Sequence, residues 1–280
     1  MLSYKHAFHT GNHADTLKHV TLLAVLQKML NKTKPFCVID THAGAGTYPI
    51  DDEQVNLNRE FETGIAKLTS RNVEHPLLSD YVDISQKYRQ SGFFPGSPAF
   101  TVANLRDQDK ATFIELHANE YEKLKLNAIF SRCTKHHRDG FEGLLALTPP
   151  EIKRGVVLID PPYELADEYG KAASAIEKLI KRWSSASVLL WYPKLTQRAG
   201  AKRTQSKMML DKLSALAVKS AVVVELDAYS EQQDLGMFGS AMYVINAPWQ
   251  TFETMNDVLK ELSSLLDAHR VNIEWIKQPS

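Results

Sequence analysis

The segment Asp160-Pro161-Pro162-Tyr163 follows the apolar run of residues 156–159 and combines an acid, two prolines and an aromatic ring. Consecutive prolines supply no N–H donors and leave carbonyl oxygens as acceptors. Asp160 and the Pro161 carbonyl can therefore hold both hydrogens of an exocyclic amine and turn its lone pair toward an electrophile. Tyr163 offers a flat face to the base. The segment predicts methyl transfer to a planar amine, and the plain alternative is a strand that ends in a Pro-Pro turn.

A glycine-bearing loop follows another apolar run, one further acid lies inside the next run, and another follows the basic stretch from Arg132 to Arg138. The loop Asp40-Thr41-His42-Ala43-Gly44-Ala45-Gly46 comes after residues 36–39, and glycines let a backbone approach a cofactor closely. Glu115 lies in the run 112–116, where α/β nucleotide sites carry an acid for ribose hydroxyls. Asp139-Gly140 offers a third acid, for an adenine amine. Each alone is compatible with an ordinary turn or a charged strand end, but acids at successive strand ends indicate a nucleotide cofactor.

The scaffold that would bring these residues together is predicted by the order of apolar runs. Short runs alternate with helical patterns, which is typical of a parallel, doubly wound sheet with helices on both faces. A helical pattern at residues 12–30 precedes the first run, and an amphipathic pattern at 252–266 closes the series. The predicted strands are 36–39, 112–116, 156–159, 188–191, 221–224 and 241–245, and the helices between them include 172–183 and 207–217.

Residues 48–106 do not fit this alternation. The stretch is polar, contains Pro76, Pro95 and Pro98, and separates the first two predicted strands by more than an ordinary crossover. We therefore predict a main domain of residues 1–47 and 107–280, interrupted by a mostly helical insertion subdomain of residues 48–106.

Charge is balanced over the whole chain but not along it. Lysine plus arginine and aspartate plus glutamate both total 33, so general attraction to a polyanion is not predicted. Residues 1–36 nevertheless carry five lysines against the single acid Asp15. Lys5 and Lys18 are expected to be either solvated surface charge or phosphate contacts. The same alternatives hold for the later basic run of Arg198, Lys202, Arg203 and Lys207.

Neither a metal site nor a membrane span is indicated. The two cysteines lack CxxC spacing, and the histidines His6, His9, His13 and His19 lack supporting ligands. The N-terminus has no apolar core typical of a signal peptide, and no apolar stretch reaches the roughly 20 residues of a membrane-spanning helix. We expect a soluble protein in the reducing cytoplasm, without a metal.

The segments described above also carry a family resemblance. Together they resemble class I S-adenosylmethionine-dependent methyltransferases, and Asp160 to Tyr163 narrows the likeness to those that methylate amino groups of adenine or cytosine. The start of the chain, from Tyr4 to Asp15 with Lys18-His19 following, closely resembles the RlmJ family of bacterial large-subunit ribosomal RNA adenine-N6 methyltransferases. The likeness spans essentially the whole chain, and it continues through Asp40 to Gly46, Pro95-Gly96-Ser97-Pro98, Glu115-Leu116-His117, Asp139-Gly140 and Ile159 to Glu164.

This resemblance implies a Rossmann-like fold with a mostly parallel seven-stranded sheet, and N6 methylation of one adenine in 23S ribosomal RNA. It implies S-adenosyl-L-methionine as the cofactor. The expected cofactor-binding residues are His19, His42, Gly44, Ser97, Glu115, Asp139, Gly140 and Asp160. Catalysis is assigned to Asp160, Pro161 and Tyr163. The candidates for binding the substrate are Tyr4, Lys5, His6, Lys18 and Tyr163, with Tyr4 near the substrate entrance.

Two other functions remain compatible with the residues alone. The same acceptor segment suits a DNA adenine-N6 methyltransferase, although such an enzyme needs a region that reads a duplex, and only the insertion could serve. A non-catalytic RNA or nucleotide-binding module on the same fold would not need Asp160 and Tyr163. The expected partner is 23S ribosomal RNA with a single-stranded or flipped adenine, and the expected oligomeric state is a monomer.

Overall fold

The apolar runs of the sequence become strands in the computed structural model, which describes residues 6–233 and 235–279. The strands are β1 Cys37–Asp40, β2 Thr47–Pro49, β3 Phe93–Pro95, β4 Lys110–Glu115, β5 Thr134–His137, β6 Gly155–Ile159, β7 Ser187–Leu195, β8 Ala221–Asp227, β9 Met237–Ile245 and β10 Arg270–Lys277. The helices are α1 His13–Leu30, α2 Glu53–Asn58, α3 Ile65–Ser70, α4 Pro76–Gln90, α5 Ser97–Ala103, α6 Ala118–Leu126, α7 Gly140–Ala146, α8 Asp167–Arg182, α9 Ala201–Ser214 and α10 Thr251–Leu266.

One large sheet has the order β5-β4-β1-β6-β7-β9-β8-β10. The five strands from β5 to β7 are parallel, whereas β9 runs antiparallel between β7 and β8. Parallel strands need crossover connections that return across a face of the sheet, and helices supply them here. The predicted α/β, Rossmann-like fold class is therefore confirmed.

The strand count differs from the prediction, because the large sheet has eight strands and not seven. Two of these strands were not among the predicted runs: β5, which pairs with β4 at one edge, and β10, which pairs antiparallel with β8 at the other edge and has a mixed pattern. The apolar residues Val271, Ile273 and Trp275 of β10 alternate with polar ones and are only partly buried. An edge strand of this kind lacks the continuous apolar run that marks a strand buried on both faces.

The two faces of the sheet are covered by different helices. Strand residues alternate between the faces, so that Val38 and Leu158 pack with α1, α4, α5 and α10, while Ile39 and Val157 pack with α7, α8 and α9. The strand β6 is buried along its whole length. This double covering fixes the strands in the middle of the molecule and holds their carboxyl ends at one edge.

The segment between β1 and β4 contains α2 to α5 and the antiparallel pair β2 and β3. Its helix α4 packs against α1, and the rings of Tyr81 and Phe100 stack with centroids 5.1 Å apart. Leu68, Leu78 and Tyr81 belong to the same buried cluster as α1. The division into a main domain and an insertion subdomain stays a prediction.

Candidate active site

A cleft lies at the carboxyl ends of the parallel strands β1, β4, β5 and β6, enclosing ≈ 850 Å³ of space open to solvent. We call it the Glu115 cavity. Every one of these strand ends supplies part of its wall, because parallel strands finish at the same edge of the sheet. Its predicted members are His42 and Gly44 after β1, Glu115 at the end of β4, Asp139 and Gly140 after β5, and Asp160 after β6.

A second cleft, with ≈ 860 Å³ of empty space that includes open solvent, adjoins the first, and we call it the Trp191 cavity. It is bounded by the start of α1, the segment after β6, strand β7 and the start of α9. The side chains that line it include Asp15, Lys18, Asp160, Pro162, Tyr163, Trp191 and Lys202. Asp160 and Pro162 line both cavities. The segment Asp160-Pro161-Pro162-Tyr163 thus lies between the two cavities.

Lys18 is buried between two carboxylates. Its Nζ lies 2.7 Å from Asp15 Oδ1 and 2.5 Å from Asp160 Oδ2, and its side chain is 5 % exposed. Asp15 is fixed in turn by the Gly11 N–H, which donates to Oδ2 at 2.9 Å. Neither alternative expected for Lys18, solvated charge or phosphate contact, describes this position. A buried charge needs partners, and Lys18 has them on α1 and after β6.

Asp40 at the end of β1 lies behind the wall of the Glu115 cavity. Burial raises the pKa of its carboxyl to about 6, although hydrogen bonds from Ser97 and from the His42 N–H oppose the shift. The Ser97 hydroxyl donates to Asp40 Oδ2 at 2.6 Å. Burial also lowers the pKa of His42 to about 4, so its imidazole is neutral at pH 7.

The loop after β1 is held against the end of β4. Glu115 accepts hydrogen bonds from the Gly44 N–H at 2.7 Å and from the His117 N–H at 2.6 Å, while burial raises the pKa of its carboxyl. Gly44 has φ +59°, and a Cβ there would lie 2.1 Å from Tyr48 Oη. Only glycine fits this position without strain.

Tyr163 lines the Trp191 cavity but is a buried part of its wall. Its hydroxyl donates to the Trp191 carbonyl at 3.1 Å, and its ring stacks on Tyr169 with centroids 4.2 Å apart. Burial raises its pKa well above the usual value. Since one face of the ring is covered by Tyr169, at most the other face can meet a base.

Three predicted residues are not among those that line either cavity. Pro161 is buried, and its neighbour Pro162 lines both cavities instead. Ser97 contacts Asp40, and His19 is buried with its ring 4.6 Å from that of Phe100. Of the candidates for substrate binding, Tyr4 and Lys5 lie outside the described residues, as does the side chain of His6.

Several lining residues were not predicted from the sequence. Asp15 could have been found, because its spacing of three from Lys18 puts both on one face of a helix. Trp191 lies in an apolar run that predicts a strand, and Pro162 lies in a predicted turn, so neither pattern indicates a role in a site. His117 and Glu120 have buried atoms, Nδ1 and Oε2, without a hydrogen-bond partner among the described residues, and both residues line the Glu115 cavity.

In residues 6–233 and 235–279, no group of three or more His, Cys, Asp or Glu side chains is arranged to hold a metal ion. Within the same part of the chain, every helix is too short or too polar to cross a membrane.

Known proteins resemble this chain over nearly its full length. Residues 33–277 match a family model described as "Ribosomal RNA large subunit methyltransferase D, RlmJ". Proteins named "Ribosomal RNA large subunit methyltransferase J" are 36 % identical in Escherichia coli K12 and 34 % identical in Haemophilus influenzae Rd, each with 99 % of both chains covered. A crystal structure of a Legionella pneumophila protein superposes with a TM-score of 0.84 and 29 % identity, covering 95 % of this chain and 97 % of that one.

Proposed function

The chain belongs to the RlmJ family of ribosomal RNA large subunit methyltransferases, and from that membership we propose that it transfers a methyl group from S-adenosyl-L-methionine to the N6 amine of an adenine in 23S ribosomal RNA. A ribosomal RNA substrate would place the reaction in the bacterial cytoplasm. DNA is the substrate to be excluded by experiment, because the acceptor chemistry of an adenine amine is the same in both polymers.

The observation that supports this proposal is the shared wall of the two cavities. In methyl transfer, the acceptor nitrogen must lie close to the methyl carbon and in line with its bond to sulfur, with no water between them. Asp160 and Pro162 line both the Glu115 cavity and the Trp191 cavity. We assign the Glu115 cavity to the cofactor and the Trp191 cavity to the target adenine, so that the two reactants meet at Asp160.

The residues of the Glu115 cavity fit S-adenosylmethionine. A Cβ on Gly44 or Gly140 would lie within 2.2 Å of a neighbouring protein atom, so glycine at both positions lets the loop after β1 and the start of α7 pack closely enough to form this wall. Two buried polar atoms, His117 Nδ1 and Glu120 Oε2, lie in residues of this wall and have no partner among the described residues. Glu115 keeps lone pairs for ribose hydroxyls beyond its two backbone contacts. The cofactor supplies an electrophilic methyl group on a sulfonium.

Asp160 holds the acceptor amine. Its Oδ2 accepts from Lys18, whereas no described residue donates a hydrogen bond to Oδ1. Oδ1 is therefore the atom that accepts an N6 hydrogen, and the Pro161 carbonyl is the acceptor we propose for the other. The amine nitrogen would receive the methyl group that the bound cofactor supplies. Its excess proton then leaves toward the Asp160 carboxylate.

The experiment that tests the function compares nucleic acids as methyl acceptors. The purified protein is incubated with labelled S-adenosylmethionine and either 23S ribosomal RNA or DNA, both from a strain that lacks the protein. We expect label in the RNA as N6-methyladenosine at one position and none in the DNA. Label only in DNA, or cofactor binding without transfer to either polymer, would contradict the proposal.

The Asp160→Ala variant tests the assigned role of Asp160 in the same assay. We expect transfer to fall by about 10²–10⁴-fold, as is typical when an acid–base group is removed. Lys18 keeps its contact with Asp15 in this variant, so the fold should survive. Circular dichroism checks the fold, and undiminished transfer by a folded variant would show that Asp160 does not hold the amine.

A further inference from the structure

We propose that Lys202, at the start of α9, forms a phosphate-binding subsite of the Trp191 cavity and holds a backbone phosphodiester next to the target adenine. This inference rests on the proposed function, because it assigns a second part of the same RNA to the same cavity. It concerns which residue positions the substrate strand, and not which residue acts on the amine.

The charges of the Trp191 cavity single out Lys202. Two lysines line it, and Lys18 is already placed between Asp15 and Asp160. Within residues 6–233 and 235–279, no carboxylate lies within 4.0 Å of Lys202 Nζ. A partly buried lysine that lines a cavity, with no counter-ion among the described residues, is suited to an anionic ligand.

The other basic residues of this run are placed differently. Arg203 contacts Glu231 at 2.7 Å, and neither Arg198 nor Lys207 is among the residues that line the Trp191 cavity. The sequence alone does not distinguish Lys202 from the other three cations of this run. The structure distinguishes one of them by its position in the same wall as Asp160.

The start of α9 adds to the positive charge at Lys202. The first turn of α9 contains no acidic residue, and its N-cap Gly200 provides no side-chain acceptor. A lysine at the positive end of a helix dipole is electrostatically unfavourable in the free protein. A phosphate bound there would neutralise the lysine and accept hydrogen bonds from the first N–H groups of the helix.

The chemistry of a nucleotide matches this pair of groups. An adenosine nucleotide carries an exocyclic amine on its base and a phosphodiester on its ribose, and the cavity offers Asp160 for the amine and Lys202 for the phosphate. Phosphate contacts fix register and orientation and carry little sequence information. Lys202 would therefore set how the strand enters the cavity, whichever bases flank the target.

The test compares Lys202→Ala with Lys202→Arg and with Lys178→Ala as a charge-matched control. Lys178 is exposed on the neighbouring helix α8 and lines neither cavity. Initial rates of labelled-methyl transfer are measured against the concentration of protein-free 23S ribosomal RNA from a strain lacking the protein, at several KCl concentrations. Binding of S-adenosylhomocysteine and the Tm of each variant are recorded alongside.

We expect Lys202→Ala to raise KM for RNA about tenfold, the loss of one charged hydrogen bond, with kcat nearly unchanged. The slope of log KM against log[KCl] should become shallower by roughly 0.7–0.9, since one phosphate contact is lost. Lys202→Arg should restore most of KM. Binding of S-adenosylhomocysteine and Tm should stay at the wild-type values.

Three results would overturn the inference while leaving the proposed function intact. These are a Lys202→Ala KM equal to that of Lys178→Ala, an unchanged salt slope, or a fall in kcat at constant KM, each with a wild-type protein that methylates the RNA. A wild-type protein that transfers no methyl group to 23S ribosomal RNA would instead overturn the proposed function, and this inference with it.

Discussion

Lys18 is the residue on which the electrostatics of the site depend. Its ammonium group lies within 2.7 Å of one Asp15 oxygen and 2.5 Å of one Asp160 oxygen, and all three side chains are largely buried. Two carboxylates in such a place repel each other and lose the stabilisation of water. The lysine supplies the positive charge that offsets both carboxylates, and in the proposed function it leaves Asp160 Oδ1 for the hydrogen of an amine.

Replacing Lys18 with methionine should destabilise the protein by about 3–5 kcal/mol, because it leaves buried carboxylates without their cation. Methyl transfer should fall as well, since Asp160 loses its fixed position. Urea unfolding measures the free energy of unfolding. The matched control is Lys181→Met, which breaks an exposed pair with Glu177 and should change stability little. Equal destabilisation by both substitutions would contradict this account of Lys18.

Asp40 predicts a pH dependence that can be isolated with Asp40→Asn. Burial raises the folded-state pKa to about 6 from 3.8. Between these values the folded wild type binds more protons than the unfolded chain, so its stability falls as pH rises. Asparagine has no proton to lose, and its stability relative to wild type should rise by about 3 kcal/mol between about pH 3.5 and 7. Urea unfolding of both proteins across this pH range measures the difference in their free energies of unfolding. A difference that does not change with pH would contradict the raised pKa of Asp40.

At the scale of elements, the strands buried on both faces were predictable and the edge was not. Strand β6 consists of apolar residues throughout, and β1 and β7 begin with similar runs, so each is visible in the sequence. Strand β10 has charged or polar residues at Arg270, Asn272 and Glu274 and is covered on one side only. Its strand character comes from pairing with β8, which no local pattern encodes.

The candidate site was predictable to the extent that it follows from strand polarity. Glu115, Asp139 and Asp160 could be placed together because parallel strands end at one edge. The contact between Lys18 and Asp160 joins residues 142 positions apart and depends on how α1 crosses that edge. The position of Lys202 in the wall of the Trp191 cavity likewise depends on how α9 packs against the sheet. The acids that follow each strand could be predicted from the sequence. Which helix places a lysine beside them is determined by tertiary packing and could not.

Two glycines in helices, one packed against the loop after β1 and one in open space, predict opposite effects for Gly→Ala substitutions. At Gly140 a Cβ would lie 2.2 Å from the Thr41 carbonyl oxygen and 2.9 Å from a His42 ring atom, so we expect a loss of about 1–3 kcal/mol and weaker binding of S-adenosylhomocysteine. At Gly170 in α8 a Cβ meets nothing within 4 Å, and alanine should stabilise the helix by up to about 1 kcal/mol. Calorimetric titration and urea unfolding measure both; tight cofactor binding by Gly140→Ala would argue against the close approach.

At the scale of the whole molecule, the segment between β1 and β4 shares its core with the rest of the chain. Leu78 of α4 is fully buried in the cluster that also contains Leu22 and Leu23 of α1 and Val38 of β1. A subdomain that buries its apolar residues against the main sheet has no separate core to keep it folded alone. The residues 48–106 that look separate in the sequence should therefore unfold together with the sheet.

Leu78→Ala tests this cooperativity, because all four tryptophans, at positions 183, 191, 249 and 275, lie outside residues 48–106. The cavity left in α4 should cost about 2–5 kcal/mol. If the molecule unfolds as one unit, tryptophan fluorescence and far-UV circular dichroism will report a single urea transition for the variant. Both probes will then show the same decrease in its midpoint relative to wild type. A subdomain that unfolds by itself would instead leave the fluorescence midpoint at its wild-type value while circular dichroism shows an earlier partial loss of helix. The first outcome makes the acceptor site, which α1 helps to build, sensitive to packing changes in the insertion.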